Sequence, residues 1–104
     1  MMIVTVRDPK ILSNLDPQQL ITYLQKNGWN QEKQFGNSES VWYKITDSGE
    51  EFDITLPLNP NIRSYALRMS EILETLEKAS GYSQLNILSY LIERLIYENS
   101  HKKF

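Results

Sequence analysis

The alternating segment at residues 51–58 constrains the fold of this chain more than any other stretch. Apolar residues stand at its even-numbered positions and polar residues or proline at the odd-numbered ones: Phe52, Ile54, Leu56 and Leu58 against Glu51, Asp53, Thr55 and Pro57. Successive side chains of a β-strand point to opposite faces, so the pattern predicts a strand with one buried and one wet face. The chain must therefore contain a sheet with a core on one side.

Three further strands are predicted. Residues 29–35 and 41–46 have strand-like patterns, and segments of turn composition at 36–38 and 47–49 separate them from each other and from the alternating strand. A short apolar pattern at residues 2–7 predicts another strand before the first helix. An antiparallel meander is the simplest connection of the three consecutive strands.

The middle strand of this meander carries a tryptophan whose orientation has two possible readings. Val41, Tyr43 and Ile45 share one face, and Trp42 lies on the opposite face. If those three side chains are buried, Trp42 points outward and is available to a partner. Alternatively, Trp42 packs under the N-terminal segment.

The first helix has strong boundary signals. Asp16 is in the N-cap position, Pro17 follows at the first helical position, and Gln19 completes a capping box. Gly28 ends the helix, because glycine adopts the left-handed conformation without a steric penalty. These signals place a helix between the first strand and the meander.

Two helices follow the meander. The apolar residues of the longer one recur at helical spacing: Ile62, Tyr65, Met69, Ile72, Leu73 and Leu76. Gly81 closes that helix, and Ser83 caps the last one, which we expect to run to about Glu98. The tail from about residue 99 is expected to fray.

The predicted order is β-α-β-β-β-α-α. Residues 1–104 therefore form a single α+β domain, in which helices cover one face of a mostly antiparallel four-stranded sheet. We expect a cytoplasmic protein without a membrane partner, because the chain has no cysteine, no apolar run of about 20 residues and no secretory signal pattern.

The sequence offers little for catalysis. Its one histidine, His101, lies in the predicted tail without a positioned partner, and the four glycines are isolated turn or cap residues. Glu71, Glu74 and Glu77 suggest a carboxylate and metal enzyme as a third hypothesis, but they lie opposite the apolar stripe, where a solvated face is the simpler reading. We expect no catalytic, cofactor or metal site.

Residues 20–46 (LITYLQKNGWNQEKQFGNSESVWYKIT) combine a helix, a Gly–aromatic end, a strand and a turn into the next strand. This frame resembles the HicA-type toxin family. The resemblance implies a double-stranded-RNA-binding-like arrangement. Glu39 stands where the catalytic histidine of that family falls, just after the turn.

Residues 52–97 are predicted to form a strand, a helix, a Gly-X-Ser turn and a second helix, in that order. The turn and the second helix contain the segment SGYSQLNILSYLIERL. This order resembles a ribbon-helix-helix module. The resemblance implies a strand-mediated dimer that reads the DNA major groove with outward strand residues, here Asp53 and Thr55. Both resemblances place the chain among small bacterial or phage proteins of toxin–antitoxin or defence context.

The last helix has an unusually broad apolar face. At 100° per residue its apolar residues cover about half of the circumference: Leu85, Ile87, Leu88, Leu91, Ile92, Leu95 and Ile96. A helix that packs on a sheet needs an apolar arc of only about 100°. The excess meets either the preceding helix together with the sheet, or a homodimer or larger protein partner.

We therefore expect a non-enzymatic accessory or adaptor protein that acts through protein–protein interaction and self-associates through its C-terminal helices. The candidate interface comprises Trp42, Leu67, Leu85, Leu88, Tyr90, Leu91, Ile92, Leu95, Ile96 and Tyr97. The alternative is a nucleic-acid-binding regulator of the antitoxin type. The net charge of −2 favours the first hypothesis, because phosphate contacts need clustered basic residues.

Overall fold

A computed structural model describes the backbone of residues 6–101 and the side chains of residues 6–93. This part of the chain is built from helices and a β-sheet, which confirms the α+β class. In chain order the elements are α1 (Pro9–Ser13), α2 (Pro17–Lys26), β1 (Asn30–Phe35), β2 (Glu39–Ile45), β3 (Glu51–Pro57), α3 (Tyr65–Ser80) and α4 (Gln84–His101).

The sheet is an antiparallel meander in the order β1-β2-β3. Trp42 in the middle strand pairs with Gln31 on one side and Ile54 on the other, and the β1–β2 register shifts between Gln31 and Lys33. Within the described residues the sheet has three strands, so the predicted fourth strand is not matched. Val6 and Arg7 have no strand structure, and residues 2–5 of that prediction lie outside the described part.

The helix α1 was not predicted. The Asp8 carboxylate accepts a hydrogen bond from the Lys10 N–H at 2.9 Å, and Pro9 occupies the first helical turn. Its single turn is too short to show helical periodicity, although Leu12 is buried and α1 packs against α3.

The start and end of α2 form as predicted. The Gln19 side chain accepts a hydrogen bond from the Asp16 N–H at 2.7 Å, while the Asp16 carboxylate accepts one from the first turn at 2.8 Å. At the other end Gly28 has a φ of 81°, and the Trp29 N–H donates to the Leu24 carbonyl at 3.0 Å. This bond spans six residues, as in a Schellman motif.

The core lies on one face of the sheet, under α2 and α3. The alternation predicted for β3 is confirmed at its centre, because Ile54 and Leu56 are buried while their neighbours Asp53 and Thr55 are exposed. It fails at the end of the strand, where Pro57, predicted for the wet face, is also buried. The buried part of α3 also agrees with its predicted stripe: Tyr65, Met69, Ile72, Leu73 and Leu76. Ile62, assigned to the same stripe, lies before the helix and is partly exposed.

Two orientations of Trp42 were predicted, and the structure contradicts the outward one. Trp42 is buried in the core, whereas Val41 and Tyr43 on the opposite face are half-buried and Ile45 is exposed. The indole N–H donates to the Ser40 hydroxyl at 2.9 Å, and this neighbour on the same face is also buried. The largest ring is thus removed from water with its polar atom satisfied, and Trp42 is a core residue rather than an exposed interface residue.

The turn between α3 and α4 uses the predicted boundary residues. Gly81 has a φ of 79°, and its N–H donates to the Glu77 carbonyl at 2.8 Å. The Ser83 hydroxyl accepts a hydrogen bond from the Asn86 N–H at 3.1 Å. The helix α4 runs to His101, three residues beyond its expected end.

No helix in the described part is long and apolar enough to cross a membrane.

Candidate interaction surfaces on the last helix

Part of the broad apolar face of α4 belongs to the core. Ile87, Leu88 and Leu91 are buried with residues from the other helices and the sheet. The Gln19 side chain also donates to the Leu91 carbonyl at 2.9 Å, which ties α2 to this part of α4. Leu88 and Leu91, two of the candidate interface residues, are therefore core residues.

A second part of the same face stays exposed. Leu85 is 46% exposed and Ile92 is 38% exposed. Seven residues separate them, which corresponds to about 20° less than two helical turns, so both lie on one line along the helix. We call these two residues the apolar shoulder. The side chains of Leu95, Ile96 and Tyr97 lie outside the described residues.

Leu67 of α3 is also strongly exposed, at 61%. It lines a groove together with Arg7, Pro9 and Leu12 from the region of α1, and none of the described side chains of α4 lines this groove. Leu67 and the apolar shoulder, which were predicted as parts of one candidate interface, therefore do not share this groove.

Tyr90, the remaining candidate on α4, lines a different surface. A half-open cleft of about 340 Å³ lies where the end of α2 meets the beginning of α4. We call it the tyrosine cleft, and the described residues that line it are Tyr23, Lys26, Asn27, Tyr82, Asn86, Ile87 and Tyr90. The rings of Tyr23 and Tyr90 meet edge to face, with centroids 5.8 Å apart and planes inclined by 71°.

The rim of this cleft is polar without being acidic. The pKa of Tyr23 lies above its ordinary value, mainly because the phenol is buried. A hydrogen bond with Ser80 offsets part of this increase, and the neighbouring Tyr90 and Tyr82 add to it. The phenol is therefore neutral at physiological pH. Lys26 supplies the one formal charge among the lining residues.

A buried glutamine fixes the start of α4. The Gln84 side chain accepts a hydrogen bond from the Val6 N–H at 3.0 Å and donates to the Glu77 carboxylate at 3.3 Å. Gln84 is almost fully buried. No sequence signal marks this residue, because a glutamine in the first turn of a helix looks like any solvated position.

The residues implicated by the two family resemblances lie together on a groove beside β3. Glu39 pairs with Arg68 of α3 at 3.2 Å. Asp53 and Thr55 are exposed and line the same groove, together with Glu71. This groove thus holds three carboxylates against one guanidinium, an unfavourable surface for phosphate groups.

Among residues 6–93, no three His, Asp or Glu side chains are close enough together to hold a metal ion. A comparison of the chain with family models, with curated proteins and with solved structures found no significant match in any of the three.

Proposed function

We propose that this chain is a non-enzymatic interaction domain, a small bacterial or phage accessory protein of the cytoplasm that self-associates through α4. One observation carries the proposal. The core takes only part of the apolar face of α4 and leaves Leu85 and Ile92 exposed on one line of the helix. A row of exposed large apolar side chains on a helix is typical of a helix–helix interface.

A two-fold dimer fits the spacing of the apolar shoulder. When two copies of α4 cross antiparallel, Leu85 of one protomer meets Ile92 of its partner, and the reverse contact follows by symmetry. The midpoint lies next to Ser89, an exposed small residue. A small side chain at the crossing point allows two helices to approach closely.

The apolar shoulder alone is too small to hold a stable dimer. Full burial of a leucine or isoleucine contributes about 2–3 kcal/mol, so covering the exposed part of these side chains contributes about 1 kcal/mol each. Four such side chains give about 4 kcal/mol, which at most offsets the translational and rotational entropy lost when two chains associate, a cost of at least about 4 kcal/mol. We therefore propose that the interface continues along α4 to the predicted members Leu95 and Ile96. By helical spacing these two follow the apolar shoulder, whereas the third predicted member, Tyr97, follows Tyr90 on another side of the helix.

Sedimentation velocity tests this proposal over protein concentrations from about 5 µM to about 500 µM, a range that covers a micromolar to submillimolar Kd. We expect the average mass to rise toward that of a dimer. The double variant Leu85→Ser with Ile92→Ser should stay monomeric. The matched control is Leu67→Ser, which removes an even more exposed leucine from a different surface.

Two results would contradict self-association through α4. One is a monomer at every concentration. The other is an equal loss of dimer in the Leu67→Ser control, because this would show a general effect of lost surface hydrophobicity.

The nucleic-acid-binding regulator remains the alternative, with weaker support. Its reading residues would be Asp53 and Thr55, and these lie beside Glu39 and Glu71. Electrostatic attraction to phosphate is strongest at low salt, so a filter-retention assay in that condition is the most permissive test. Retention of DNA or RNA that disappears in Arg68→Ala would favour this alternative.

A further inference from the structure

We propose that the tyrosine cleft binds a small planar aromatic anion, a ligand with one flat ring system and a carboxylate or phosphate attached to it. The proposal does not depend on self-association through α4. It rests on three features of the cleft: an apolar floor with exposed rings, a lysine that makes no ion pair with the described residues, and a size that suits one small ligand.

The floor and walls of the cleft favour a flat apolar group. Ile87 and Tyr23 are buried and form the floor, whereas Tyr82 is 65% exposed and Tyr90 is 40% exposed. Exposed aromatic rings gain from stacking against another ring, because this removes two apolar faces from water at little cost in side-chain entropy. The rings come from different segments, so a ligand between them would be held from several sides.

The charges around the cleft favour an anion. None of the seven lining residues is acidic, and Lys26 makes no ion pair with the part of the chain that the structure describes. The carbonyl groups at the C-terminal end of α2 attract positive charge and could bind the Lys26 ammonium group. The Lys44 Nζ already donates to one of them, the Asn27 carbonyl, at 2.7 Å. Lys26 is thus left to pair with a ligand, and Lys44 adds positive charge nearby.

The size of the cleft sets the ligand class. A volume of about 340 Å³ is at the lower end of the range for small-molecule sites. A one- or two-ring aromatic acid fills such a space, and so does a mononucleotide. The Asn86 amide, whose side chain makes no hydrogen bond within the described residues, adds a donor and an acceptor for the edge of the ring.

The test is a titration of the full chain, followed by two-dimensional ¹⁵N–¹H NMR. Three probes are used: indole-3-acetate, its neutral analogue indole-3-acetamide, and adenosine 5′-monophosphate. We expect saturable shifts at the amides of Asn27, Tyr82 and Asn86. Indole-3-acetate should bind about fivefold more tightly than the acetamide, the ratio that one exposed ion pair provides. Tighter binding of the nucleotide would identify a phosphate as the anion.

Two variants and a control separate the contributions of charge and ring. Lys26→Ala should abolish the preference for indole-3-acetate over the acetamide, whereas Lys10→Ala, which removes an exposed lysine elsewhere, should retain it. Tyr82→Ala should weaken all three probes about fivefold to tenfold through lost stacking. This side chain lies outside the core, so its removal leaves the fold intact.

Three results would overturn the proposal. The first is the absence of a saturable shift with any probe up to about 10 mM, a concentration beyond which binding is negligible. The second is equal affinity for indole-3-acetate and indole-3-acetamide together with no nucleotide binding, and the third is the same loss of preference in Lys10→Ala as in Lys26→Ala. None of these results concerns Leu85 or Ile92, so failure here leaves self-association untouched.

Discussion

Replacement of Tyr65 by phenylalanine tests how the start of α3 is held to the segment before α2. Tyr65 begins α3, is 2% exposed, and donates its hydroxyl hydrogen to the Leu15 carbonyl at 2.5 Å, across 50 residues of sequence. Leu15 is also buried, so water cannot replace the lost donor without a rearrangement. The variant keeps the ring and leaves almost no cavity, which isolates the hydrogen bond from packing.

The expected cost of Tyr65→Phe is about 1–2 kcal/mol, the range for a buried acceptor left without its partner. For a domain of this size it corresponds to a decrease in Tm of about 4–12 °C. Urea denaturation followed by tryptophan fluorescence measures the free energy of unfolding, and an unchanged m value would show that the unfolded state is unaffected. The matched control is Tyr82→Phe, which removes a hydroxyl from an exposed ring and should change stability by less than about 0.5 kcal/mol.

The pH dependence gives this prediction a second test. Burial, and to a lesser extent the negative charge of Asp16, raise the pKa of Tyr65 well above its ordinary value of 10.0. The unfolded chain therefore loses this proton first, so stability is fully present below about pH 10 and falls as the pH rises toward the folded pKa. The wild-type advantage over Tyr65→Phe should shrink above pH 10 by up to about 1.4 kcal/mol per pH unit.

The reasoning on Tyr65 would be refuted if Tyr65→Phe unfolded within about 0.5 kcal/mol of the wild type, because an unsatisfied buried carbonyl costs more than that. It would also be refuted if the difference between the two proteins stayed constant from pH 8 to pH 11. A cost shared equally by Tyr82→Phe would point to a general effect of phenol removal.

Two further predictions concern the ends of α3 and α4. Gln84→Met keeps the volume of the buried side chain but leaves the Val6 N–H without its acceptor. We expect the free energy of unfolding, measured by urea denaturation, to fall by about 2 kcal/mol. The control Gln18→Met, at an exposed position, should change it by less than about 0.5 kcal/mol. Gly81→Ala should cost about 1 kcal/mol in thermal unfolding, because φ is 79°, a conformation that strains alanine even though no atom of the described residues lies within 4 Å of the added methyl group. A neutral result would mean that the turn shifts at no cost.

The predictable parts of the fold are those set by local chemistry. The alternation in β3 and the capping box of α2 each depend on residues within a few positions of one another, and both were predicted. The hydrogen bonds from Tyr65 to Leu15 and from Val6 to Gln84 span 50 and 78 residues, and no local pattern indicates them. The tyrosine cleft is also formed by distant segments, so Tyr90 was the one lining residue proposed from the sequence as part of an interaction surface.

The orientation of β2 was left open by the sequence for a different reason. Counting apolar residues favours burial of Val41, Tyr43 and Ile45 over that of Trp42. The structure buries the other face, because one indole removes a large apolar area from water and Ser40 satisfies its N–H. A majority of apolar positions is thus a poor guide where the minority face carries the largest side chain.

The width of the apolar face of α4 now has a partial explanation. Ile87, Leu88 and Leu91 cover about 100° of the helix, which is the arc that packing against one domain requires. The apolar shoulder extends that arc on one side, and Tyr90 borders it on the other. Since about 160° separates Tyr90 from Ile92 around the helix, one partner helix cannot cover both. A dimer formed through the shoulder therefore leaves the tyrosine cleft open, and the two surfaces can act at the same time.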